Sequence, residues 1–71
     1  MKNKPLSEKE QIQYIYSEVV SYFDGDLVKV NLWFNSSNSM LGEVSPLEMI
    51  YFGKTGKVYS FILNNKNGNH P

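Results

Sequence analysis

The strongest alternation of apolar and polar positions lies in LSEKEQIQYIYSEVVSYFDGD, residues 6–26. At 100° per residue, Ile12, Ile15, Tyr16, Val19, Val20 and Phe23 share one face, Tyr22 lies at its margin, and Gln13, Ser17 and Ser21 fall outside it. Ser7, with Glu10 three residues on, forms a capping box, in which each side chain satisfies a backbone N–H left without a partner at a helix start. Glu8 and Glu10 also stand at the positive end of the helix dipole. Gly25 within DGD supplies a left-handed terminator. The pattern predicts a helix over about residues 8–23.

The next apolar stretch, LVKVNLWF at 27–34, fits two periods. As a strand, Val28, Val30, Leu32 and Phe34 alternate against Lys29 and Asn31, and periodicity alone slightly favours this reading. As a helix, Leu27, Val30, Trp33 and Phe34 make a stripe behind an Asp26 cap, with Val28 and Leu32 standing off it. NSSNSM (35–40) is a polar connection whose side chains bond their own backbone. Ser45 and Glu48 form a second capping box, Pro46 suits the first helical position, and Gly53 closes a helix of about two turns. GKTG (53–56) reads as a loop. KVYSFILN (57–64) places Val58, Phe61 and Ile62 on one helical face, although its content also suits a strand. The last residues, 65–71, are polar and predict a flexible tail. Residues 1–64 thus form one small domain, all-α in the preferred reading and α+β with a short hairpin in the rival one.

Composition narrows the function more than the fold. Seventy-one residues without cysteine exclude a disulfide staple and a thiolate metal site, and a core this small is marginal. Self-association or a bound partner is therefore expected, a homodimer included. Seven lysines balance seven acids and there is no arginine, so no basic stripe is available for phosphates and nucleic-acid binding is not expected. No apolar run approaches the ~20 residues of a membrane span, and no signal-peptide core follows the basic start. A soluble, cytoplasmic protein is the expectation.

Little in the chain suits catalysis. His70 is the only histidine and lies in the tail, where a base would not be held within reach of a substrate. Glu8, Glu10, Glu48 and Asp26 have helix-end roles. Asp24 and Asp26 lack the further oxygen ligands at fixed spacing that a calcium loop requires. GKTG lacks the spacing and the preceding strand of a phosphate loop. Tyr16, Phe23, Trp33, Phe34 and Phe61 sit on predicted core faces, and there is no basic groove for stacked bases. No enzyme, cofactor or metal is expected.

Apolar surplus gathers instead around residues 40–52. On the helix from Pro46, Leu47, Ile50 and Tyr51 form one face, while Met49 and Phe52 are expected on the opposite side, with Met40 and Leu41 just before it. A short helix with two apolar faces is either sandwiched within its own fold or covers a partner.

NLWFNSSNSMLGEVSPLEMIYFGKTGKVYSFIL resembles the toxin-binding domain of the Xre/MbcA/ParS-type antitoxins. That pattern carries a Trp, a short turn, LGG-x-[ST]-P-L-[ED]-L-L, a Gly-containing loop and a last V-x-x-x-L helix. Trp33 matches the first element, Leu41, Gly42, Ser45, Pro46, Leu47, Glu48 and Ile50 match the central motif, and Gly56, Val58 and Ile62 approximate the end. The resemblance covers about residues 30–64 and implies helices at 27–34 and 57–64. It also implies a non-enzymatic inhibitor that occludes a RES-domain toxin, an NAD-using enzyme; the motif together with the apolar surplus gives the expected contact residues as Met40, Leu41, Gly42, Glu43, Ser45, Pro46, Leu47, Met49 and Phe52.

Two departures stand out. Glu43 occupies the position of the second glycine of LGG, and the 29 residues ahead of the matched segment are too few for a helix-turn-helix region with dimerisation helices. Operator binding is accordingly expected to be absent. The alternative reading is a small regulator or inhibitor from a phage or mobile element that binds another host protein.

Overall fold

Helix-end chemistry decides where this chain turns. The computed structural model describes residues 5–66 and contains α1 (Glu8–Tyr22), α2 (Leu27–Asn35), α3 (Pro46–Tyr51) and α4 (Thr55–Lys66), with a 3-10 turn at Ser39–Leu41. The domain is all-α. Among the described residues the only extended pairing is an isolated antiparallel bridge between Asn38 and Val44.

Ser7 accepts the Glu10 N–H at 3.2 Å and the Glu10 carboxylate accepts the Ser7 N–H at 2.9 Å, so the first capping box is complete. At the other end the left-handed residue that stops α1 is Asp24 (φ 54°), with Gly25 (φ 80°) following it, rather than Gly25 alone. The Asp24 N–H reaches the Ser21 carbonyl at 3.1 Å and the Gly25 N–H the Val20 carbonyl at 2.9 Å, the crossed pair of bonds that closes a Schellman turn. Asp26 then caps α2 by accepting the N–H groups of Val28 and Lys29 at 3.2 and 3.3 Å.

Residues 27–34 are therefore helical, and so are 57–64, which removes the hairpin alternative. A strand at 27–34 would need a partner for its backbone groups, and the one other candidate segment has folded into α4. On α2, Val30 is buried and Trp33 and Phe34 are half-buried, whereas Leu27, placed by the periodicity on the inward stripe, is exposed. α4 extends past the predicted end at 64: Asn65 and Lys66 are helical, and the Asn65 amide donates to the Phe61 carbonyl at 2.9 Å. The rest of the predicted tail, residues 67–71 with His70, lies outside the described residues.

Each helix sends at least one side chain to the centre: Ile15 and Val19 from α1, Val30 from α2, Met49 from α3 and Val58 from α4. α1 packs chiefly on α4, and α3 fills the space between α2 and α4. Thr55 is buried at the start of α4, and its hydroxyl donates to the Glu8 carboxylate in the first turn of α1 at 2.8 Å. The far halves also meet, since Val19 and Tyr22 line the same groove as Phe61 and Ile62. α1 and α4 consequently run side by side in the same direction. Their rings add to this packing through the edge-on pair Tyr14–Tyr59, with centroids 5.4 Å apart.

Two substitutions grade these contacts. Ile15→Ala should cost about 2–5 kcal/mol, enough to abolish a cooperative urea transition in a domain of this size, whereas Thr55→Val should cost only about 1 kcal/mol because Glu8 is free to bond water. Far-UV circular dichroism during urea titration checks both. An unchanged midpoint in Ile15→Ala would show that the core lies elsewhere.

Candidate functional site

The segment between α2 and α3 holds a compact loop, Asn38–Val44, whose two ends are bonded to each other. The Asn38 N–H donates to the Val44 carbonyl at 3.1 Å, and the Asn38 carbonyl accepts from Leu41 at 2.9 Å and Glu43 at 3.0 Å. Its side chain caps the 3-10 turn by accepting the Met40 N–H at 2.9 Å. Asn38 thus serves as donor and acceptor at four places around one loop. It is the organising residue that sequence reasoning missed, and its signal was an Asn at an Asx-turn position two residues before Met40.

Within this loop the backbone turns left-handed twice in succession, at Gly42 (φ 83°) and Glu43 (φ 66°). Glycine adopts this region freely, while a residue with a Cβ is strained there. Position 43 therefore has the geometry for which glycine is suited, and Glu43 occupies it at a cost. The two left-handed residues return the chain so that Val44 closes the loop and Ser45 enters the cap of α3.

α3 has only six residues and is held at both ends. Ser45 is buried; its hydroxyl accepts the Glu48 N–H at 3.0 Å, and Glu48 Oε1 accepts the Ser45 N–H at 3.1 Å. After Phe52, Gly53 (φ 80°) donates to the Ile50 carbonyl at 3.0 Å and Lys54 to the Met49 carbonyl at 2.8 Å, a complete Schellman turn.

The orientation of α3 corrects the expected surface. Met49, assigned to an exposed binding face, is 7% exposed and belongs to the core, with Pro46 buried beside it and Ile50 half-buried. These positions, i, i+3 and i+4, form the inward stripe. Leu47 and Tyr51, one turn apart, lie on the outward side; Tyr51 is 83% exposed and Phe52 also remains exposed, their rings edge-on at 5.4 Å. Of the nine expected contact residues, Met40, Gly42, Glu43, Leu47 and Phe52 are exposed. Leu41 is half-buried against the core, while Ser45, Pro46 and Met49 are buried and support the surface from beneath. Tyr51 joins the exposed set, having been assigned to the other face.

Trp33 packs against the same core cluster as Leu41 and Val44. It lines grooves with residues of α1, α2 and α4, and no residue of 38–52 lines either groove. Among the described residues no group of three or more acidic or histidine side chains gathers in a way that holds a metal ion. No helix among them is long and apolar enough to cross a membrane. Comparison with protein-family models, with curated proteins and with solved structures gives no match.

The left-handed pair makes the loop testable. Glu43→Gly should relieve roughly 1–2 kcal/mol of backbone strain and return roughly 0.4–1 kcal/mol through the freer unfolded chain, a net gain of about 0–1.6 kcal/mol. Asn38→Ala, which deletes the cap but not the backbone bonds, should cost about 1 kcal/mol. Denaturant midpoints measure both, and a loss of stability in Glu43→Gly would contradict strain at this position.

Proposed function

We propose that this chain is a non-enzymatic, antitoxin-like interaction module that binds and occludes a RES-type, NAD-using toxin in the cytoplasm, with no DNA-binding region in the described fold. The observation that carries the reading is the coincidence of two features at residues 38–52. One is the LG-x-x-SPLE segment, whose second glycine position has a left-handed backbone at Glu43. The other is a doubly capped helix that turns Leu47 and Tyr51 outward, followed by an exposed Phe52.

The physical case for a partner rests on exposure. An outward Leu, Tyr and Phe within six residues, with Met40 exposed on the preceding turn, present large apolar side chains to water, and their burial by another protein is favourable. Tyr51 and Phe52 supply much contact area with few torsions to freeze, as residues that dominate interfaces do. Rigidity is the second requirement: Asn38, the Ser45–Glu48 box and the Schellman turn fix this surface before binding, so little ordering entropy is lost on association. Glu43 projects from the same loop as an exposed carboxylate and adds a charge at the edge of the apolar surface.

Mixing the protein with a purified RES-type toxin and following NAD consumption tests this reading. Inhibition should saturate at a fixed stoichiometry, and Leu47→Asp and Phe52→Asp should each weaken it at least tenfold, about 1.4 kcal/mol, while circular dichroism shows the fold intact. Folded variants that inhibit as well as the parent would place the binding surface elsewhere, and a parent protein that does not inhibit would overturn the antitoxin reading.

A further inference from the structure

Four of the chain's aromatic side chains gather at a place that the antitoxin reading does not use. Tyr22 and Phe23 at the end of α1, Trp33 of α2 and Phe61 of α4 line one groove of about 800 Å³, together with Val19 and Ile62. Tyr22 and Phe23 stand edge-on, with centroids 5.0 Å apart and ring planes at 85°, so they form a corner rather than a flat wall. Phe23, Trp33 and Phe61 are half-buried, whereas Tyr22 is exposed. Three of the rings are thus held by the fold, and the fourth stands at the solvent edge.

We infer that this groove is a binding site for a small organic cation of the quaternary ammonium class. Three observations select that chemistry. First, the walls are aromatic. Ring faces carry the negative part of the quadrupole and attract a cation within about 6 Å of the ring centroid, tryptophan most strongly. Aliphatic walls would serve a neutral hydrocarbon equally well, whereas four rings around one groove favour a positive charge.

Second, the charge has the matching sign. Among the lining residues only Glu18 is charged at neutral pH, and Ser21 and Asn65 are neutral. Glu18 is already engaged within the fold, but a carboxylate has two oxygens and about four lone-pair sites, so it still attracts a cation. Lys29 lines the smaller neighbouring groove, which shares Phe23 and Trp33, and does not line this one. The same arrangement disfavours an anion.

Third, size and polarity favour a small quaternary ligand over a lysine side chain of another protein. The groove volume of about 800 Å³ lies within the roughly 300–1,000 Å³ of small-molecule sites. A lysine ammonium is strongly hydrated and brings three donors, few of which a largely apolar groove satisfies. A quaternary head has no N–H to leave unpaired, so aromatic walls replace its water without that penalty. An apolar extension of such a ligand has Val19 and Ile62 to pack against.

Titration of the full chain with choline, followed by NMR at the indole N–H of Trp33, the only tryptophan, tests the site. The control ligand is choline's neutral carbon isostere, in which tert-butyl replaces trimethylammonium, at matched ionic strength. Choline should shift the Trp33 resonance with a dissociation constant on the order of a millimolar, and the isostere should bind at least about tenfold more weakly. Tyr22→Leu, at an exposed position, should weaken choline binding about two- to fivefold. Glu18→Gln should weaken it by a similar factor, with the helical spectrum retained, and Tyr22→Leu decides alone if Glu18→Gln fails to fold. Leu47→Asp should leave choline binding unchanged, which separates this site from the toxin-binding surface. No shift at tens of millimolar choline would overturn the inference, as would equal binding of the isostere. Binding that survives substitution at Tyr22 and Glu18, or that Leu47→Asp abolishes, would put the ligand outside this groove and overturn it equally.

Discussion

The burial of Met49 is the interaction on which the rest of this structure depends. α3 is six residues long, far too short to persist on its own, since isolated helices below about 12–15 residues are marginal in water. Met49 carries α3 into a cluster with Ile15, Val19, Val30 and Val58 and so joins all four helices at one place. Its flexible thioether side chain suits the irregular space where α2, α3 and α4 meet. Once Met49 points inward, the helical repeat leaves no freedom: Pro46 and Ile50 follow it towards the core, and Leu47 and Tyr51 face water.

The loop before α3 serves the same constraint. A helix fixed at its core-facing side still requires the chain to arrive at the correct angle, and the left-handed pair Gly42–Glu43 turns it there. Asn38 holds the loop closed by its backbone to Val44 and by its side chain to Met40. The burial of Met49 offsets the strain at Glu43, so the fold tolerates a glutamate where glycine would be relaxed. The outcome is a rigid surface assembled from local bonds and anchored to the core by buried Met49 and Pro46, with Leu41, Val44 and Ile50 packed against the same cluster.

Much of this was legible in the sequence because it is local. The capping boxes at Ser7–Glu10 and Ser45–Glu48, the Asp26 cap and the Gly53 terminator all form as residue chemistry predicts, and the inward face of α1 contains Ile15 and Val19 as its periodicity requires. Tertiary choices were less visible. A wheel of PLEMIYF has two apolar sides, and nothing within those residues decides whether Met49 or Leu47 turns inward; contacts with α2 and α4 decide it. Residues 27–34 carried both periods, and helix prevailed because Asp26 caps the segment and no strand among the described residues is there to pair with it. Glycine at 25 marked the end of α1 and is left-handed as expected, but Asp24 before it is left-handed too, which a short polar side chain tolerates. The candidate site was half legible: the position of the loop was apparent from LG-x-x-SP, while the identity of its outward residues required the fold.

The division of α3 into an inward and an outward side is the central claim, and a comparison of alanine substitutions at neighbouring positions tests it most directly. Calorimetric unfolding of Met49→Ala and Leu47→Ala, side by side under one condition, reads the two faces. We predict that Met49→Ala loses about 2–5 kcal/mol and that Leu47→Ala stays within roughly 0.5–1 kcal/mol of the parent, as exposed positions do. A large loss at Leu47 with little change at Met49 would contradict this orientation of α3, and with it the assignment of the exposed surface.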